Sequence, residues 1–89
     1  MQKSIHSQQY ATFLKVLRSS RQRAGLTQED VAARIGETQS FVSKVERGER
    51  RIDIVELRVF WQAFGVTLKH FVDAFEASVP IKTPAKRSG

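Results

Sequence analysis

The chain has 89 residues, 40% of them hydrophobic, with a formal net charge of +6 at pH 7; that is the size of one domain, too apolar for a disordered chain. It contains no cysteine, so disulfides and thiolate metal sites are excluded, and no apolar run approaches the roughly 20 residues of a membrane span. The basic balance points to a polyanionic partner, nucleic acid first, although Lys82, Lys86 and Arg87 near the end supply half of the excess.

The opening residues, MQKSIHSQQY, lack the apolar stretch of a secretory signal, so a soluble intracellular protein is expected, with residues 1–7 flexible. Five helices are then expected at about 8–24, 28–35, 39–47, 54–64 and 68–77, together forming one domain over 8–78. Each has a start signal: Ser7, Thr27, Thr38, Asp53 and Thr67 stand where an N-cap oxygen would meet the free amides of the first turn. Thr27 with Asp30, and Asp53 with Glu56, have capping-box spacing. Gly25, Gly36, Gly48 and Gly65 supply the stops, as residues that turn left-handed without a Cβ clash.

The apolar stripes agree with these limits. Tyr10, Phe13, Leu14 and Leu17 follow helical spacing in the first helix. Val31, Ala32 and Ile35 mark the second, and Val42 and Val45 the third. Leu57, Phe60, Trp61 and Phe64 mark the fourth, and Leu68, Phe71, Val72 and Phe75 the fifth. Leu26 and Val66 fall in connections and staple them. Residues 79–89 change character: PIKTPAKRSG has two prolines and little apolar content, and reads as a disordered basic tail.

The densest information lies in residues 25–48, GLTQEDVAARIGETQSFVSKVERG. Two short amphipathic helices meet there at Gly36. Ala32 lies on the inner face of the first of them, where a larger side chain would push the second away. Val42 and Val45 turn inward, so Gln39, Ser40, Ser43 and Lys44 project outward together. Gln39 is suited to a bidentate pair with adenine, Lys44 to guanine, and the two serines to either donors or acceptors. Phe41 flanks this face, either against a thymine methyl or packed on the edge of the second helix. Arg47, Arg50 and Arg51 cluster behind the third helix as phosphate clamps, or as solubilising charge.

Together Gln28, Val31, Ala32, Ile35, Gly36, Val42 and Val45 resemble the helix-turn-helix of phage repressor and Cro-type regulators, the Xre type, over about residues 10–76. The resemblance implies an all-α, compact, five-helix, lambda repressor-like DNA-binding domain, cytoplasmic and encoded by a bacterium or phage. It implies that Gln28 contacts a phosphate, and that Arg21 and Glu46 form a partly buried ion pair. One recognition helix spans few base pairs. A homodimer on a palindromic duplex is therefore expected, with Val55, Val59, Phe71 and Phe75 at its interface.

Nothing suggests an enzyme, a cofactor or a small-molecule ligand. His6 and His70 have no evident catalytic partner, and Glu29 and Asp30 suit the positive end of a helix better than acid–base work. Two other readings share the fold. An antitoxin would bind its operator and a toxin, although the tail lacks hydrophobic anchors for the latter. An interaction adaptor would have no use for Gln39, Lys44 and Arg47 on one exposed face.

Overall fold

A computed structural model describes residues 5–79. Five helices follow in order: α1 (Ile5–Arg23), α2 (Gln28–Ile35), α3 (Gln39–Glu46), α4 (Ile54–Phe64) and α5 (Leu68–Ser78). Residues 1–4 of the expected flexible N-terminus and 80–89 of the expected tail lie outside the described residues. None of the described helices is long and apolar enough to cross a membrane.

The caps account for most of the helix limits. Thr27, Thr38, Asp53 and Thr67 have extended backbone, and each side chain accepts from the amide three residues on. Both capping boxes close: Asp30 accepts from the Thr27 amide, and Glu56 from the Asp53 amide, each at 2.9 Å. Ser7 is not a cap. The helix already runs from Ile5, because no breaker precedes Ser7 and each further residue adds a backbone bond. The N-terminal boundary at residue 8 is corrected accordingly.

Between α2 and α3 the chain reverses in three residues. Gly36 adopts φ 75° and donates to the Ala32 carbonyl, which Glu37 also reaches at 2.9 Å. An L-residue rarely takes this conformation, so a glycine is needed at the corner. α2 then packs on both α3 and α4, α1 packs on α3 and α5, and α4 packs on α5.

The core lies where these contacts converge. Leu17, Val31, Val42, Val45, Phe60 and Trp61 are its most enclosed large members. Val16 and Ala63 complete it, although neither stands out in the sequence stripes. Trp61 sits 5.2 Å from Phe64 and 5.2 Å from Phe71, ring centre to ring centre. Phe13 meets Phe71 edge-on at 5.6 Å, a favoured aromatic geometry. Phe71 is therefore core, 6% exposed, and not part of an intermolecular surface. The sequence gives α5 two phenylalanines one turn apart; only packing decides that the first turns inward and that Phe75, stacked on it at 5.7 Å, is half-buried.

Candidate nucleic-acid interface

α3 is fixed to the body by Val42 and Val45, both 0% exposed. This directs the opposite side of the helix outward. Gln39, Ser40 and Lys44 are exposed there, and Ser43 is half-buried. Neither Ser40 nor Lys44 makes a side-chain hydrogen bond to another described residue, so their polar atoms are available.

A hydrogen-bonded chain runs beneath this surface from α1 to the tip of α3. Arg21 donates to Glu46 through Nε at 2.6 Å and Nη2 at 3.1 Å, and its Nη1 donates to the Leu26 carbonyl at 2.9 Å. Gln28 donates to Glu46 Oε1 at 3.0 Å. Gln39 in turn donates to Gln28 Oε1 at 2.6 Å. Arg18 approaches the same carboxylate at 3.9 Å. Glu46 is only 2% exposed, so its charge requires these partners. The result is that the first residue of α2 and the first residue of α3 are held together at one end of the motif.

The three arginines after α3 each have a partner of their own. Arg47 donates to Glu49 at 3.0 and 3.1 Å, and also to the Ser43 hydroxyl. Arg50 donates to Glu56 at 2.9 Å, donates to the Arg51 carbonyl, and lies 5.1 Å from the centre of the Phe41 ring. Arg51 lies 4.0 Å over the ring of Tyr10 on α1. These pairs set local charge states. The guanidinium of Arg47 holds the Glu49 carboxyl below its usual value, and Glu49 raises Arg47. Arg50 and the Asp53 amide lower Glu56, which raises Arg50 in return. Arg47, Glu49 and Arg50 are exposed and Glu56 is half-buried, and such surface pairs rearrange at little energetic expense.

Two features escaped the sequence reading. Phe41 packs toward α4, its ring 6.3 Å from that of Phe60, and shares a small cleft with Ile35 at the end of α2. Glu49 and Glu56 partner the arginines, yet Glu56 was legible only as a capping residue. Four large aliphatic side chains remain exposed: Ile54 at 65%, Val55 at 69%, Val59 at 39% and Val72 at 45%.

Comparison with known proteins locates this arrangement. A family model described as helix-turn-helix matches residues 17–71. An uncharacterized HTH-type transcriptional regulator, y4dJ, of Sinorhizobium fredii is 45% identical over 47 residues, covering 53% of this chain and 61% of that protein. The aligned stretch thus spans under two thirds of that relative. Among solved structures, an XRE-family like protein from Pseudomonas syringae pv. tomato superposes with a TM-score of 0.78 at 41% identity, covering 85% of this chain and 93% of that one. The restriction-modification controller protein C.Esp1396I, solved as a tetramer with its natural 35 base-pair operator, shares the fold at a TM-score of 0.74 and 22% identity. That match covers 80% of this chain and 93% of the controller protein.

Proposed function

The chain belongs to the Xre-type helix-turn-helix family, and on that premise we propose that it is a DNA-binding transcriptional regulator that occupies a palindromic operator as a homodimer and represses by occupancy. The observation that carries this reading is the outer side of α3, where Ser40 and Lys44 stand exposed beside Gln39, neither hydrogen-bonded through its side chain to another described residue. In such a domain the second helix of the motif lies in the major groove, its N-terminal residues on base edges. Gln39, Ser40, Ser43 and Lys44 are assigned to the bases on this reading.

Gln28, Arg47, Arg50 and Arg51 are assigned to phosphates. Gln28 and Gln39 act as a unit: the bond between them fixes the side chain that reads the base through the one that grips the backbone. Arg47 and Arg50 exchange their carboxylate partners for phosphates on binding. Phosphate contacts fix register but carry no sequence information directly.

The dimer surface is assigned to the exposed aliphatic side chains Val55 and Val59, with Phe75 at the edge; Phe71 supports it from within. Two copies related by a two-fold axis place their recognition helices about 34–36 Å apart, one turn of duplex. The controller protein bound to its operator is a tetramer, which supports assembly on DNA as the mode of action in this fold.

The deciding experiment is selection of bound duplexes from a random library, followed by a salt titration on the winner. Recovery of an inverted repeat, with affinity falling steeply as salt rises, is expected. Failure to enrich any sequence, with no binding at low salt, overturns the reading.

A further inference from the structure

A groove of about 460 Å³ opens on the side of the molecule between α1, residues 51–53, α4 and α5. Phe13, Ile52, Leu57, Phe71 and Phe75 supply its apolar walls. Its volume lies within the roughly 300–1,000 Å³ typical of small-molecule sites. Such sites combine apolar walls with a few polar groups, and two adjoin the groove here.

The first is Arg51, which lines the groove and lies over Tyr10. Its neighbours are paired with acids, Arg47 with Glu49 and Arg50 with Glu56. Arg51 has no carboxylate partner among the described residues. Asp53 lines the same groove, but its carboxylate is occupied as the cap of α4, accepting from the Glu56 amide at 2.8 Å. The second group is the Tyr10 hydroxyl, buried and without a hydrogen-bond partner among the described residues. A buried hydroxyl left unsatisfied is unfavourable, and each instance calls for an explanation.

We propose that this groove binds a small amphipathic monocarboxylate, a single carboxylate carried on an apolar chain or ring. The head group pairs with the Arg51 guanidinium, and accepts from the Tyr10 hydroxyl once that ring turns it out of its buried position. The apolar body lies along Leu57, Phe71 and Phe75. A neutral head leaves the cation unpaired, and a dicarboxylate drives its second charge against phenylalanine rings. Arg51 is also among the side chains assigned above to a phosphate. On that reading, ligand and duplex draw on the same guanidinium, and the ligand lowers affinity for DNA.

The test uses the full chain without DNA. Octanoate is titrated against it and followed by the backbone and side-chain NMR signals of Tyr10, Ile52, Leu57 and Phe75, with octan-1-ol and suberate as comparison probes. Saturable shifts at these four residues are expected with octanoate, and about tenfold weaker binding with octan-1-ol. Arg51→Gln should weaken octanoate by a similar factor while leaving octan-1-ol unchanged. Tyr10→Phe should weaken it several-fold, and its melting curve shows separately whether the variant folds. Equal affinity for octanoate and octan-1-ol, an unaltered response in Arg51→Gln, or the absence of saturation overturns the proposal. So do shifts at the same residues that follow protein concentration and ignore octanoate, because a second copy of the chain then covers the groove. Failure here leaves duplex binding untouched, since that is read in a separate assay; adding octanoate to the duplex titration should weaken wild type and not Arg51→Gln.

Discussion

Arg21 meets Glu46 with two nitrogens, at 2.6 and 3.1 Å, and Glu46 is 2% exposed while the Arg21 side chain is 11% exposed. The pair ties the end of α1 to the end of α3. Because Gln28 shares the carboxylate, the same contact orients the side chains that begin α2 and α3.

Removing either partner strands the other. Arg21→Ala or Glu46→Ala should lose about 3–5 kcal/mol of stability in urea melts. Substituting both with leucine should lose less than the two single losses added together. Single variants that melt like the parent would show that the pair contributes nothing.

Readers and clamps should separate in binding assays. Gln39→Ala should relax preference at particular bases, with discrimination falling by about 1–3 kcal/mol there. Arg50→Ala should weaken all duplexes alike and reduce the salt slope by about one ion. Duplex selection on each variant distinguishes the two, and identical behaviour would contradict the assignment.

Acid should destabilise the fold through its capping boxes. Asp30 is held below its ordinary value of 3.8 first by the Thr27 amide, and Glu56 below 4.5 first by Arg50 and then by the Asp53 amide. A carboxylate that binds its proton less readily in the fold than in the unfolded chain stabilises above the ordinary value. That contribution is lost as pH falls through the lowered one. Thermal melts should therefore decline below about pH 4.5, and a variant with both Asp30→Asn and Glu56→Gln should decline less steeply.

Two glycines should differ on substitution. A Cβ at Gly36 meets nothing within 4 Å, and only its φ of 75° opposes alanine. Gly36→Ala should thus lose about 1–2 kcal/mol. At Gly48, φ is 80° and the added carbon stands 3.0 Å from Leu14 Cδ1. Gly48→Ala should lose more, unless Leu14 shifts, and chemical denaturation of the two variants ranks them.

An acidic residue on the exposed aliphatic surface should separate the subunits without unfolding them. Val55→Glu alters a side chain that is 69% exposed in one chain, so its monomer should melt near the parent's value. Sedimentation at high concentration should show a monomer for this variant and a dimer for the parent. A parent that is monomeric both free and on DNA would remove the surface from consideration.

Much of the fold could be read along the chain. Four of the five caps, the glycine stops and the inward valines of α3 act between residues a few positions apart, so spacing reveals them. Ser7 misled because a cap residue type marks a start only where the helix cannot extend further back. Phe71 misled because apolar spacing shows that a helix has a buried stripe without showing how wide it is. The outer side of α3 was legible once Val42 and Val45 were placed inside.

The order of the helices, their limits apart from the start of α1, and the residues on the free side of α3 follow from the sequence alone, because capping and helical periodicity are local. The choice of partner for each long charged side chain was settled only in three dimensions. Glu46 has one arginine at its own C-terminal side as Arg47, yet it faces Arg21 from α1, and Arg50 turns to Glu56 on the next helix. Such side chains reach several ångströms in any direction, so the packing of α1 against α3 and of the 47–53 loop against α4 decides which charges meet.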